Sequence, residues 1–167
     1  MFPHAQQALK DIFKEECTLH FVKENTYFIS DLHLGAPSVE QSQKRERKVV
    51  EFLRSIEADC RSLYIVGDLF DYWFEYKQVV PRGHTRLLGT LAQMVDRGLE
   101  LHIFTGNHDL WMQDYLSEEL GATVHHEPLK IQLGTGQFYI AHGDGLGPGD
   151  LKYKMLKRIF TNPLCKW

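Results

Sequence analysis

The 167-residue chain has only three cysteines, Cys17, Cys60 and Cys165, far apart and never in a C-x-x-C pair. That excludes a disulfide framework and a cysteine-based zinc knuckle, and it suits a reducing cytosol. Long apolar runs are missing too. No stretch approaches the ~18 residues that a membrane span needs, and residues 1–25 hold no signal-peptide core. There is no excess of positive charge: 19 Lys and Arg stand against 22 Asp and Glu, a net charge of -3, so no global field attracts nucleic acid. Repeats, low-complexity tracts and linkers are absent. What remains, 43% apolar, 12% aromatic and 25% charged, is the composition of one globular domain with a substantial core. Nine histidines are the compositional oddity.

Residues 1–17 carry weak helical spacing in Phe2, Ala5, Leu9 and Phe13, and residues 1–25 read as an N-terminal extension before a core over 26–149. Tyr27 to Ile29 is a short strand ending at Ser30-Asp31. Gln43 to Ala58 is a helix, with Val49, Phe52, Leu53 and Ile56 on its inner face and Lys44, Arg45, Arg47 and Lys48 on a solvated one. Ser62 to Val66 is a second strand, Thr85 to Arg97 a helix closed by Gly98, and Glu100 to Phe104 a third strand. Asp109 to Leu120 reads as a helix closed by Gly121. Leu129 to Leu133 and Phe138 to Ala141 flank Gly134-Thr135-Gly136 as a hairpin, and Asp150 to Phe160 is a last helix. Strand–helix–strand alternation predicts an α/β fold.

Successive strands end in ligand-type residues: Asp31 and His33, then Asp68, then Asn107, then His142. The spacings from Asp31 onward are 37, 39 and 35 residues, about one βα unit each, so the fold gathers them at the carboxyl ends of the strands. Carboxylate, imidazole and amide oxygen together suit divalent ions such as Mn²⁺, Fe²⁺ or Zn²⁺. Asp31 and His33 can reach one ion, Asp68 can bridge two, and Asn107 and His142 can serve the second. Two such ions clamp a phosphoryl group, which points to an anionic phosphate ester as substrate. His108, at a predicted helix start, can contact a phosphate oxygen or protonate a departing one. Asp109 either holds the His108 tautomer or caps the helix from Leu110, and both roles are compatible.

Other residues have plainer readings. His102 alternates within a strand and is structural, while His4, His20, His84, His125 and His126 match no pattern and are expected at the surface. Asp71 to Phe74 either pack the core or, in the case of Asp71, orient a ligand. The last helix presents Leu151, Tyr153, Met155, Leu156, Ile159 and Phe160 on one face, beside Lys154, Lys157 and Arg158. It either docks on the core or covers the site and meets an acyl chain or an anionic membrane surface.

Asp31-Leu32-His33, Gly67-Asp68-Leu69-Phe70-Asp71, Gly106-Asn107-His108-Asp109 and His142-Gly143-Asp144 resemble the successive motifs of the calcineurin-like metallophosphoesterases. The resemblance implies an αββα sandwich, two divalent metal ions, and in-line attack of hydroxide on phosphorus. It implies Asp31 and His33 on the first metal, Asp68 as the bridge, Asn107 and His142 on the second metal, and His108 as the catalytic histidine with Asp109 beside it. Ser30 to Gly35, Gly67 to Trp73 and the His142-Gly143-Asp144 segment are similar to the UDP-2,3-diacylglucosamine pyrophosphatases of lipid A synthesis. That branch implies manganese, a lipid-linked UDP-sugar cleaved to UMP and an acylated sugar 1-phosphate, and work at the cytoplasmic face of the inner membrane. It also implies a helical cap after the His-Gly-Asp motif, here residues 150–167. Asn107, His108, Lys152, Tyr153 and Lys157 are the expected substrate contacts.

The family's late Gly-His-x-His motif, which supplies one further ligand to each metal, does not occur after His142. The expectation is therefore a fold whose C-terminal part is missing, in a chain that is weakly active or inactive alone. The competing readings are a generic phosphodiesterase or phosphatase and a non-catalytic scaffold. Protein phosphatase is disfavoured because Asp68 is followed by Leu-Phe-Asp-Tyr-Trp and not by a close Asp-Arg-Gly.

Overall fold

A computed structural model describes residues 24–144. Strands β1 (Asn25–Ile29), β2 (Cys60–Val66), β3 (Glu100–Phe104) and β4 (Thr123–His125) form one parallel sheet in the order β1-β2-β3-β4. Helices α1 (Val39–Ile56), α2 (Thr85–Asp96) and α3 (Tyr115–Leu120) make the crossovers. Each crossover steps to the next strand in the same direction, and right-handed connections then put all three helices on one face. Leu63 and Ile65 of β2 pack there with Leu53 of α1, Leu87 and Leu91 of α2, and Leu116 of α3.

On the other face Tyr64 and Phe104 meet Ile140, Leu129 and Ile131 of an antiparallel hairpin, β5 (Leu129–Leu133) and β6 (Gly136–Ile140). Leu133 pairs with Gly136, which leaves Gly134-Thr135 as a two-residue turn. The expected α/β class holds, and the described residues stack a helix layer, a parallel sheet and a two-stranded sheet. A parallel sheet covered on both sides needs strands apolar on both sides, as β2 is. The expected helices at 1–17 and 150–160, the extension, the cap and the cap residues Lys152, Tyr153 and Lys157 lie outside the described residues.

Several boundaries differ from the sequence reading, each for a physical reason. α1 starts at Val39, four residues before Gln43, because Ser38 Oγ accepts the Gln41 N–H and caps it. β4 was not anticipated; three residues are too few to show an alternation. The largest difference is the helix expected over Asp109–Leu120, of which only Tyr115–Leu120 is helical. Glu75, buried after the Trp73 side chain, accepts the Asp114 and Tyr115 N–H groups with Oε2 and starts the helix there. His84 and His125 are half-buried, not surface residues: His84 packs 4.8 Å from the Phe70 ring, and His125 is hydrogen-bonded to His102 at 3.1 Å. His126 is exposed, as expected.

Candidate metal centre

Beyond the last ladder residues of β1 and β2, the two loops stay zipped together. The Asp31 N–H donates to Gly67 O (3.2 Å), His33 N–H to Asp68 O (2.9 Å) and Leu34 N–H to Leu69 O (3.1 Å). Within this double loop Asp31 (φ 55°), His33 (φ 42°) and Asp68 (φ 50°) all adopt left-handed backbone conformations. Each costs a non-glycine residue about 1–3 kcal/mol, so the surrounding hydrogen bonds must hold them there. Three such residues among five ligand candidates mark the place where folding energy is spent on geometry.

Asp68, only 3% exposed, is the centre of the arrangement. Its Oδ1 accepts the His108 N–H at 3.0 Å. Its Oδ2 lies 3.6 Å from His33 Nε2 and 3.4 Å from His142 Nε2. His33 Nε2 is 3.9 Å from Asp31 Oδ1, and His142 Nε2 is 3.3 Å from Asn107 Oδ1. Two triads of ligand atoms, His33–Asp68–His108 and Asp31–Asp68–His142, each fall within 4.8 Å of one another and share Asp68. The five expected ligands thus lie together with His108, although the triads set Asp31 with His142 and His33 with His108, not Asp31 with His33 as expected. A Cβ on Gly67 would overlap the His142 ring, so glycine is required for that histidine to approach.

The ring tautomers follow from the neighbours. His142 Nδ1 lies 3.0 Å from Val66 O, and His108 Nδ1 lies 3.0 Å from Asp71 O. A carbonyl only accepts, so each Nδ1 carries a proton and each Nε2 is the nitrogen left to face the site. His33 Nδ1 faces Asp71 Oδ1 at 3.4 Å in the same sense. The Nε2 atoms of His33 and His142 face one carboxylate oxygen of Asp68 at 3.6 and 3.4 Å. Ligand bonds of about 2.1 Å place two donors on one ion roughly 3–4 Å apart, which these separations match. The donor set fits divalent ions, with Asp68 shared.

Asp109 differs from its expected place. Its carboxylate is fully buried and accepts Gly106 N–H (2.7 Å) and Phe70 N–H (3.2 Å), and it caps no helix at Leu110. Burial pushes the carboxyl up to about 6, against the opposing effect of these backbone N–H bonds. It ties the β2 and β3 loops together, whereas Asp71 occupies the position beside the His108 ring. Arg45 departs from its expected solvated face as well: its guanidinium donates to the Leu32, His33 and Ala36 carbonyls. Sequence reasoning missed Arg45 because one arginine in a basic run carries no mark of its direction. It also missed an aromatic pocket of about 170 Å³ beside His108, lined by Tyr72, Trp73, Leu110 and Trp111 among others. A larger groove between α1 and α2, about 450 Å³, includes none of the ligand candidates.

Carboxylates, imidazoles and an amide cluster around one aspartate, a donor set that could hold divalent cations, and the residue pattern from 25 to 162 matches the calcineurin-like phosphoesterase family. The chain belongs to that family. It is 42% identical over 146 residues to a UDP-2,3-diacylglucosamine hydrolase of Porphyromonas gingivalis, covering 87% of this chain and 56% of that protein. It is 32% identical over 138 residues to one from Nitrosococcus oceani, covering 83% of this chain and 53% of the relative. The chain thus spans about half the length of these curated relatives. Its fold is similar to that of a protein of unknown function from Aquifex aeolicus, with TM-score 0.50, 18% identity, and 81% of this chain and 71% of that one covered. Membership implies divalent metals, and no helix among the described residues is long and apolar enough to cross a membrane.

Proposed function

We propose that this chain carries the dinuclear site of a hydrolase that cleaves the diphosphate of UDP-2,3-diacylglucosamine to UMP and 2,3-diacylglucosamine 1-phosphate. The observation that carries the reading is Asp68, with one carboxylate oxygen 3.4–3.6 Å from two histidine Nε2 atoms. Asp31 and His33 would hold one cation, Asn107 and His142 the other, with Asp68 between. The bound ions, manganese by choice, supply charge neutralisation and a water that ionises near neutral pH. His108, whose Nδ1–H is committed to Asp71 O, would use the Nε2–H of its doubly protonated ring to bind a phosphate oxygen or hand a proton to the departing group. The names of the relatives support the UDP-sugar, and the aromatic pocket beside His108 offers an apolar wall for part of it. Lys152, Tyr153 and Lys157 are further substrate contacts in this reading, and the work is peripheral, at the cytoplasmic membrane face.

The test is UMP release from the diacyl substrate by the purified chain with Mn²⁺, together with calorimetric Mn²⁺ titration. Two bound ions and slow UMP release, both abolished in Asp68→Ala, are the expected result. Hydrolysis of a simple aryl phosphodiester without UMP release would favour the generic phosphodiesterase instead. Equal Mn²⁺ binding by wild type and Asp68→Ala would remove the bridge and the reading with it.

A further inference from the structure

The first three turns of α1 direct three polar side chains inward, and each holds something. Ser42 Oγ accepts the Gly35 N–H at 2.7 Å. Glu46 Oε1 accepts the Arg86 and Leu87 N–H groups at the start of α2. Arg45, between them, donates through Nη1 to Leu32 O (3.1 Å), His33 O (2.7 Å) and Ala36 O (3.2 Å). Among the described residues no carboxylate lies within ion-pair distance of Arg45. Its charge is directed onto the loop's carbonyl oxygens alone, and such charge-assisted bonds are roughly twice as strong as neutral ones.

The loop it grips is the one that carries Asp31 and His33. On its other side this loop is bonded to the Gly67–Leu69 backbone, so the segment is held between the β2 loop and α1. The His33 backbone needs that clamp, because φ 42° is unfavourable for a residue with a Cβ and nothing in the histidine side chain imposes it. The Arg45 bond at 2.7 Å falls on the carbonyl of His33 itself.

We propose that Arg45 is a positioning residue for the metal centre: its guanidinium locks the left-handed His33 backbone and so sets the half of the site formed by Asp31 and His33, with Ser42 as its auxiliary. The proposal rests on the dinuclear reading above. The half formed by Asn107 and His142 is held by other groups, namely Asp68 Oδ1 on the His108 N–H, Asp109 on the Gly106 N–H and Val66 O on the His142 ring. Arg45 therefore acts on one cation and not on both.

Mn²⁺ titration of the metal-free protein separates these possibilities. Arg45→Met is expected to weaken one of two sites by about 10–100-fold, the usual effect of losing a residue that orients a ligand, and to leave the other unchanged. Guanidinium ion at a non-denaturing concentration restores the weakened site, and the metal-free variant shows faster amide exchange at Leu34 and Gly35 while α1 stays protected. Arg47→Met, two residues along and exposed, leaves both sites as in wild type. If Arg45→Met does not fold, Ser42→Ala carries the same expectation, with a smaller loss at the same site. Two unchanged sites in the folded variant, or an equal loss at both, would overturn the proposal while leaving the dinuclear reading standing. A wild type that binds no Mn²⁺ overturns both.

Discussion

Gly106 lies so close to Asp68 that a Cβ built on it overlaps the Oδ1 of that carboxylate and comes within 2.5 Å of the Asp68 backbone nitrogen. The loop after β3 is thus pressed against the loop after β2 by the absence of one methyl group. That contact lets the same Oδ1 accept the His108 N–H at 3.0 Å, so the Asp68 carboxylate and the His108 loop are placed by one another.

Gly106→Ala is expected to push these loops apart. A displacement near 1 Å at such a site costs on the order of 100-fold in turnover. Overpacking a rigid contact costs about 1–3 kcal/mol of stability. Turnover and urea unfolding of the variant measure the two effects, and wild-type values for both would mean that the Asp68 carboxylate has room to move.

His108→Gln keeps a polar side chain but loses the imidazole. Removing a group that transfers a proton lowers kcat by about 10²–10⁴-fold with KM little changed. The expectation is that fall in kcat with two Mn²⁺ ions still bound. Loss of one ion would instead make His108 a ligand, in line with its place in the triad with His33 and Asp68.

Glu46→Gln tests a different kind of contact. The buried Glu46 carboxylate caps the start of α2 by accepting two backbone N–H groups. Hydrogen bonds to a charged acceptor contribute roughly 1.5–3 kcal/mol, so thermal unfolding of the variant should show a loss of that order. Mn²⁺ stoichiometry should stay at two, since Glu46 touches no ligand.

The pair His102–His125 predicts acid sensitivity. Burial, first of all, holds both imidazoles below the ordinary value of 6.5, with Glu100 opposing it at His102 and the neighbouring histidines adding to it at His125. Lowered pKa values in the folded state mean that the unfolded chain binds more protons. Their contribution is full above the unfolded value and is lost as pH falls below about 6.5. Urea midpoints at about pH 7 and about pH 5 measure it, and His125→Gln should reduce the difference between them.

Much of the site could be read before any coordinates, because it obeys a local rule. Each candidate sits just past a short apolar strand, and a parallel sheet brings strand ends together wherever the crossovers run. Asp31, His33, Asp68 and Asn107 are found at one point for that reason, while His142 follows β6 and reaches the same point from the antiparallel hairpin. The helix expected at Asp109 shows where the rule stops: Asp109 is spent on the Gly106 and Phe70 N–H groups, and Glu75 begins the helix six residues later. The Phe70–Asp109 and Glu75–Asp114 contacts join residues from separate crossovers, and no local propensity encodes them.

The α/β class, the apolar run that makes β2 and the ligand residues at the strand ends were determined by the sequence itself, since each depends on near neighbours in the chain. Which way Arg45 points, which oxygen meets the His108 ring, and how near Gly106 comes to Asp68 were decided only by the tertiary structure. These depend on distances between segments about 10 to 40 residues apart, and such distances exist only once the core has packed.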